Sequence, residues 1–215
     1  MLTTSPMRID FISASPDRAG CYRVKLSDES TLRLYRQTME DFSLYRGMEL
    51  DENQLAALKA AAGKMSAKMR AVRIVSASSV SCRDLQQRLT RKGETEEDAK
   101  QAVAWMEDLH LLDDRNTAEQ VVHSCIRKGY GKSRARQVLY EKRIPRELWE
   151  EALEDYPDQM EKILAFLRSR LDDASDDRAV KRAVDALIRR GHGYSQIREA
   201  LQTLSLETDD FVEDI

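Results

Sequence analysis

Apolar and basic side chains alternate along the first fifty residues. In Tyr22-Arg23-Val24-Lys25-Leu26 and again in Thr31-Leu32-Arg33-Leu34, every second residue is apolar. That period places the apolar set on one face of an extended strand and the cations on the other. Asp28-Glu29-Ser30 supplies a polar turn between the two runs, so the pattern predicts a β-hairpin. Ile9-Asp10-Phe11-Ile12 predicts a third strand, joined through a loop carrying Pro16 and Gly20. A short helix is expected next, with Thr38 and Asp41 spaced as a capping box and Gly47 placed as a C-terminal cap.

From Asp51 onward the period becomes helical. Met65, Met69 and Val72 share one face, and Cys82, Leu85 and Leu89 share another. Ala99, Ala102, Val103 and Met106 form a third stripe, opened by the capping box Thr95-x-x-Asp98. Ala118, Val121, Val122 and Cys125 begin a second series, continued by Ala135, Val138 and Leu139. Leu148, Trp149, Ala152 and Leu153 close it, with Pro145 suited to a first helical turn. A helix from Asp158 to Leu171 opens the last series.

The stripes recur in register. Leu89-x-x-Lys92-Gly93 is echoed by Leu139-x-x-Lys142-Arg143 and by Leu187-x-x-Arg190-Gly191, so the leucines stand 50 and then 48 residues apart. Fourteen residues after each comes a small-then-apolar pair: Ala102-Val103, Ala152-Leu153 and Ala200-Leu201. The chain is therefore expected to be mainly α: three tandem three-helix, helix-turn-helix-like repeats in an elongated array, preceded by a small β-hairpin-containing N-terminal module. The boundaries follow as 1–50 for the strand-containing module, 51–110 for a connecting helix and the first repeat, and 111–155 for the second. Residues 156–215 hold the third repeat and an acidic tail. Leu85, Leu89, Val103, Val122, Leu139, Leu153, Leu187 and Leu201 are the expected core. Repeat units this small gain stability by stacking, and such arrays present surfaces to macromolecules.

Composition adds a class. Hydrophobic residues make up 41%, charged residues 34% and aromatics 6%, a globular but surface-rich mix. No run approaches the roughly 20 apolar residues of a membrane span, and no charged-then-apolar leader opens the sequence. Cys21, Cys82 and Cys125 are odd in number and far apart, which fits reduced thiols in a cytoplasmic protein.

Candidate chemistry is sparse. Gly129-Tyr130-Gly131-Lys132-Ser133 resembles part of a phosphate-binding loop, but Ile126 stands where the first glycine belongs, and a helix stripe rather than a strand precedes it. Gly129 reads instead as a helix C-terminal cap, with Ser133 near the next helix start. His110, His123 and His192 lack ligand spacing, and Asp113-Asp114 reads as an N-cap with its dipole complement. No catalytic residue, cofactor site or metal site follows, and the chain is expected not to be an enzyme.

Charge distribution carries more. From Gln120 to Arg146, eight Lys and Arg face the single acid Glu141, a block of net +7. Glu147 to Glu161 holds seven acids and no base, net −7. The first block can hold phosphates or an acidic protein surface. The partner-binding residues expected from it are Arg127, Lys128, Lys132, Arg134 and Arg136, with the adjacent glycines letting the backbone approach a partner closely.

Leu111-Leu112-Asp113-Asp114-x-x-x-Ala118, followed by Lys128-Gly129-Tyr130-Gly131-Lys132-Ser133-Arg134 and Leu139, resembles the RecX family of bacterial regulators of the RecA recombinase. Ser81-Cys82-Arg83-Asp84-Leu85-x-x-x-Leu89-x-x-Lys92-Gly93 is similar to that family's first-repeat signature. Thr117 replaces a usual aromatic, and Arg143-Ile144 replaces a glycine that often closes the second repeat's middle helix. The resemblance implies a regulator that lodges in the groove of the RecA–DNA filament and restrains its ATPase, strand-exchange and co-protease activities. It also implies possible direct contact with single-stranded or double-stranded DNA. A soluble monomer with no membrane association is expected. The alternative is a direct DNA-binding protein using Lys132 to Arg143 as a basic recognition helix.

Overall fold

The alternating segments pair as antiparallel strands β1 (Met7–Ala14), β2 (Cys21–Leu26) and β3 (Thr31–Tyr35). A two-residue β4 (Glu49–Leu50) adds to the free edge of β1, giving the order β3-β2-β1-β4. Ile9 and Ile12 are three residues apart, which strict alternation would put on opposite faces. A bulge between Ile9 and Phe11 shifts the register, so Ile9 pairs with Leu26 and Ile12 with Val24, and both face the core. These coordinates are a computed structural model that describes residues 6–15, 20–171 and 177–210. The Pro16 loop and the end of the acidic tail, 211–215, lie outside the described residues.

Helix α1 (Arg36–Asp41) differs from its expected capping. Its N-cap is Tyr35 with no side-chain bond, while Thr38 lies buried inside the helix. The helix ends at Phe42, and Gly47, with φ of 89°, turns the chain into β4. Thr38 turns its side chain to the core, so it cannot serve the solvent-facing end.

Helix α2 (Glu52–Ala77) has 26 residues and spans about 39 Å. Asp51 caps it reciprocally with Gln54, at 2.7 and 3.0 Å. Leu55, Leu58 and Ala62 on its first half cover the sheet, joining Ile9, Val24, Leu26, Leu34 and Leu50 in one core. Ala67 and Ala71 on its second half pack with α3 (Cys82–Arg91) and α4 (Glu96–Asp108). The buried stripe there is alanine, not the Met65–Met69–Val72 face; Met69 is exposed. Small side chains let α4 approach, as does Gly63, where a Cβ would come within 2.8 Å of Asp98 Oδ2.

The chain divides into two compact units, Met1–Leu112 and Asp113–Ile215. In the second, α5 (Asp114–Arg127), α6 (Lys132–Glu141), a 3-10 turn (Arg146–Leu148) and α7 (Trp149–Ala152) enclose Ala118, Val122, Cys125, Ala135, Leu139 and Leu153. Pro145 precedes the 3-10 turn with φ of −54°. A further group, α8 (Met160–Arg168), α9 (Asp177–Arg189) and α10 (Tyr194–Asp210), packs around Ile163, Leu167, Ala183, Leu187, Ile197 and Ala200. Seven of the eight expected core residues are buried; Leu201 is only half-buried at the edge of its cluster. The protein is thus mainly helical with an N-terminal four-stranded antiparallel sheet.

Candidate partner-binding surface

The basic block is organised by the turn between α5 and α6. Asp113 caps α5 by accepting from the backbone N–H of Arg115 and Asn116 at 2.8 and 3.2 Å. At the other end Arg127 occupies the last turn and Lys128 the C-cap, where cations complement the helix dipole. Gly129 follows in the left-handed region, φ 66°, as a helix-ending glycine does. Lys132 then opens α6, with Ser133 in its first turn.

Arg127, Lys128 and Lys132 are exposed, and among the described residues no ion pair holds them. The other two expected contact residues are engaged internally. Arg134 is half-buried, with Nη1 3.2 Å from Glu141 Oε1, and Arg136 Nη2 lies 3.7 Å from Glu150 Oε1. Arg115 bonds Glu151 in the same way. One of these pairs, Arg136 with Glu150, joins the basic block to the acidic one; Arg134 is met by the single acid inside its own block, and Arg115 lies before it.

The two glycines of the loop are buried against other residues of the same unit. The backbone N–H of Gly131 donates to the Arg190 carbonyl at 2.9 Å. A Cβ on Gly131 would stand 2.0 Å from the Gly191 oxygen, and one on Gly191 would stand 2.3 Å from the Arg134 nitrogen. The close backbone approach that Gly131 and Gly191 permit is between the start of α6 and the α9–α10 turn of the same unit. Gly129 is covered by the Lys162 side-chain stem, whose Cβ would sit 3.4 Å from an added methyl.

His192 completes this contact. Its ring is buried, with Nε2 3.0 Å from the Gly129 carbonyl; since a carbonyl only accepts, Nε2 carries the proton. Nδ1 is buried with no hydrogen-bond partner among the described residues. Burial, with Arg190 nearby, holds the imidazole pKa below its ordinary value against the opposing carbonyl bond. Tyr156 donates its hydroxyl to the Tyr130 carbonyl at 2.6 Å, and burial beside Cys125 pushes its pKa up to about 12. Burial likewise raises the Cys125 thiol, which leaves it a packing residue with little thiolate.

Sequence reasoning passed over Gly131, Gly191 and His192 as a set. One signal was present: α6 has glycine at its N-cap, where Asp51, Ser81, Thr95 and Asp113 serve other helices. A glycine chosen over a capping side chain marks close backbone approach. Among the described residues no three His, Cys, Asp or Glu side chains gather as a metal site, and no helix is long and apolar enough to cross a membrane.

The family model described as RecX, second three-helix domain, matches residues 113–153, the segment that builds this turn. A Regulatory protein RecX from Vibrio parahaemolyticus is 30% identical over 155 residues, covering 71% of this chain and 98% of that protein. One from Streptococcus gordonii is 26% identical over 192 residues, 87% of this chain and 74% of the relative. Among solved structures, a crystal structure of regulatory protein RecX superposes with a TM-score of 0.60 at 24% identity, over 90% of this chain and 99% of that one. RecX from Lactobacillus salivarius gives 0.57 at 22% identity, over 67% and 97%. These two carry the fold, and the Vibrio relative, matched almost end to end, carries the family. The chain belongs to the RecX family of regulatory proteins.

Proposed function

We propose that the chain binds the RecA recombinase filament and restrains its ATP turnover, strand exchange and co-protease activity, without hydrolysing nucleotide itself. The filament-facing surface in this reading is Arg127, Lys128 and Lys132, with Arg134 and Arg136 at its margin. The observation that carries it is the exposure of three cations around one helix–helix turn, inside the segment that the family model matches. Charges already paired within the fold lose that pair when they bind, whereas these three lose only water.

The helical groups in this reading are copies of one module, spanning 51–110, 111–155 and 156–215. Backbone geometry supports it. Four residues after each anchor leucine the chain turns left-handed, at Gly93 with φ of 90°, Arg143 at 57° and Gly191 at 84°. Arg143 adopts the glycine conformation where the other two groups have glycine.

The decisive variant is Arg127→Glu with Lys128→Glu and Lys132→Glu, assayed for inhibition of the cognate RecA ATPase on single-stranded DNA. The expected result is at least about tenfold more protein for half-inhibition, the sum of three exposed charge contacts. Helical content should not change, and the melting temperature should shift by only a few degrees, because the dipole penalty of acids at the end of α5 is partly offset by an acid at the start of α6. Wild-type inhibition by the variant at near-physiological salt overturns the surface. ATP turnover by the purified chain alone, abolished by Lys132→Ala, overturns the activity.

A further inference from the structure

The basic turn between α5 and α6 does not stand alone. The glycine contact seats the α9–α10 turn against it, and that turn holds large apolar side chains in solvent. Among the described residues the second unit exposes three of them: Tyr140 at 65%, Ile188 at 48% and Tyr194 at 66%. Ile188 and Tyr194 stand three residues before and three after Gly191. Three Cα steps keep each within about 11 Å of Gly191. Gly191 packs against the Arg134 backbone, and Gly131, which it faces across the contact, adjoins Lys132. Tyr140 shares a face of α6 with Lys132 and Arg136, at spacings of eight and four.

Local structure fixes where these side chains stand. α9 ends in a Schellman motif: the Gly191 N–H donates to the Ile188 carbonyl at 2.8 Å, and the His192 N–H to the Leu187 carbonyl at 3.2 Å. Gly191 supplies the left-handed residue, with φ of 84°. Leu187 and His192 turn inward and are buried, which leaves Ile188 facing water. The Arg190 carbonyl and the His192 ring then bind the turn to Gly131 and Gly129. Isoleucine is stiff at χ1 and tyrosine has only two χ angles, so both lose little freedom when a partner covers them.

We propose that Ile188 and Tyr194 form the apolar half of the partner-binding surface, and that its occupant is a protein surface pairing apolar residues with carboxylates. The inference rests on the filament reading and deepens it: the turn meets the recombinase protein rather than the DNA phosphates. Charge complementarity calls for the carboxylates, opposite the exposed Arg127, Lys128 and Lys132. The apolar flank favours protein over nucleic acid. A phosphate backbone offers nothing to bury Ile188 against, and an aliphatic side chain has no ring on which a base could stack. Tyrosine and arginine together are, by contrast, enriched at the centres of protein interfaces.

The test is inhibition of the cognate RecA ATPase by Ile188→Ala with Tyr194→Ala, read at about 50 and about 150 mM salt. About tenfold more protein should be needed for half-inhibition. Neither residue carries charge, so the ratio to wild type should be the same at both salt concentrations. Arg127→Gln with Lys132→Gln should instead cost more at the lower one. Ile188→Leu with Tyr194→Phe should inhibit as wild type does. Phe11→Ala, which removes an exposed aromatic from the first unit, should leave inhibition unchanged. Wild-type inhibition by Ile188→Ala with Tyr194→Ala overturns the proposal. If the charge variant is then impaired, the filament reading stands without its apolar half; if that variant also inhibits normally, both fall. Equal weakening by Phe11→Ala overturns the proposal as well, because binding would then follow total exposed apolar area. So does an equal loss of affinity for a bare single-stranded oligonucleotide in the apolar variant, which would make nucleic acid the occupant.

Discussion

Gly131→Ala adds a single methyl group where two backbones already touch. The added Cβ would lie 2.0 Å from the Gly191 oxygen, 2.3 Å from its carbonyl carbon and 2.6 Å from the His192 nitrogen. All three are main-chain atoms, so no side chain can swing aside. Gly131 itself has φ of −76°, which alanine adopts without strain, so the effect is steric alone. The α9–α10 turn must move away, which breaks the bond from Gly131 N–H to the Arg190 carbonyl and the one from His192 to the Gly129 carbonyl. Two such bonds contribute about 0.5–1.5 kcal/mol each, and overpacking costs about 1–3 kcal/mol. The stiffer unfolded chain offsets about 0.4–1 kcal/mol, leaving a loss of about 3 kcal/mol. The chain's two tryptophans make this measurable unit by unit, because Trp105 belongs to the first and Trp149 to the second. In a Trp105→Phe background, Trp149 fluorescence should report a urea midpoint lowered by about 1.5 M for a slope of about 2 kcal/mol/M. Gly93→Ala is the contrast. Nothing lies within 4 Å of its added Cβ, and with φ of 90° it should cost only about 1 kcal/mol, read by Trp105. A Gly131→Ala chain within 0.5 kcal/mol of wild type would refute the close-contact reasoning.

His110 follows α4 at φ of 53° on the surface, so His110→Gly should raise stability by about 0.5 kcal/mol; a lower melting temperature would contradict this. His192 has a folded pKa below its ordinary 6.5, so the unfolded state binds the proton more readily and stability is lost as pH falls through 6.5 toward the folded value. His192→Gln should flatten that part of the Trp149-reported stability between about pH 7 and 5, and an unchanged pH slope would remove the histidine from the account. Leu139→Ala, at a fully buried position, should cost about 2–5 kcal/mol by denaturant titration, while Leu201→Ala at its half-buried edge should cost clearly less.

What the sequence made legible was what neighbours in sequence decide. Asp113 and Thr95 cap the helices that their spacing assigns them, Gly129 ends α5 left-handed, and stripes such as Ala99–Ala102–Val103–Met106 are buried. Where the expectation failed, a distant partner had decided. Thr38 carries a capping residue's chemistry, but the sheet core claimed its side chain. Met65 and Met69 have the apolar weight of a core face, yet α4 needs the space that only Ala67 and Ala71 leave. The candidate surface divided in the same way. Exposure at Arg127, Lys128 and Lys132 follows from their places at helix ends, while the partners of Arg134 and Arg136 lie seven and fourteen residues further on, brought near only by the fold. Nothing local records that residues 190–192 pack against Gly-Tyr-Gly.

Helix α2 gives the sheet and the first helical group a common wall. A gene trimmed at residue 50 would still encode every residue of α3 and α4, yet it would strip the cover from Leu55 and Leu58. Leu58, fully buried, would forgo about 1.5–3 kcal/mol of burial and the half-buried Leu55 less, and together they would give the shortened chain an adhesive stripe on the first turns of its leading helix. The strands are therefore not a detachable appendage. A lineage could discard them only by rewriting the first half of α2 in polar residues at the same time, so the length of this chain is tied to the spelling of a helix that the strands themselves do not contain.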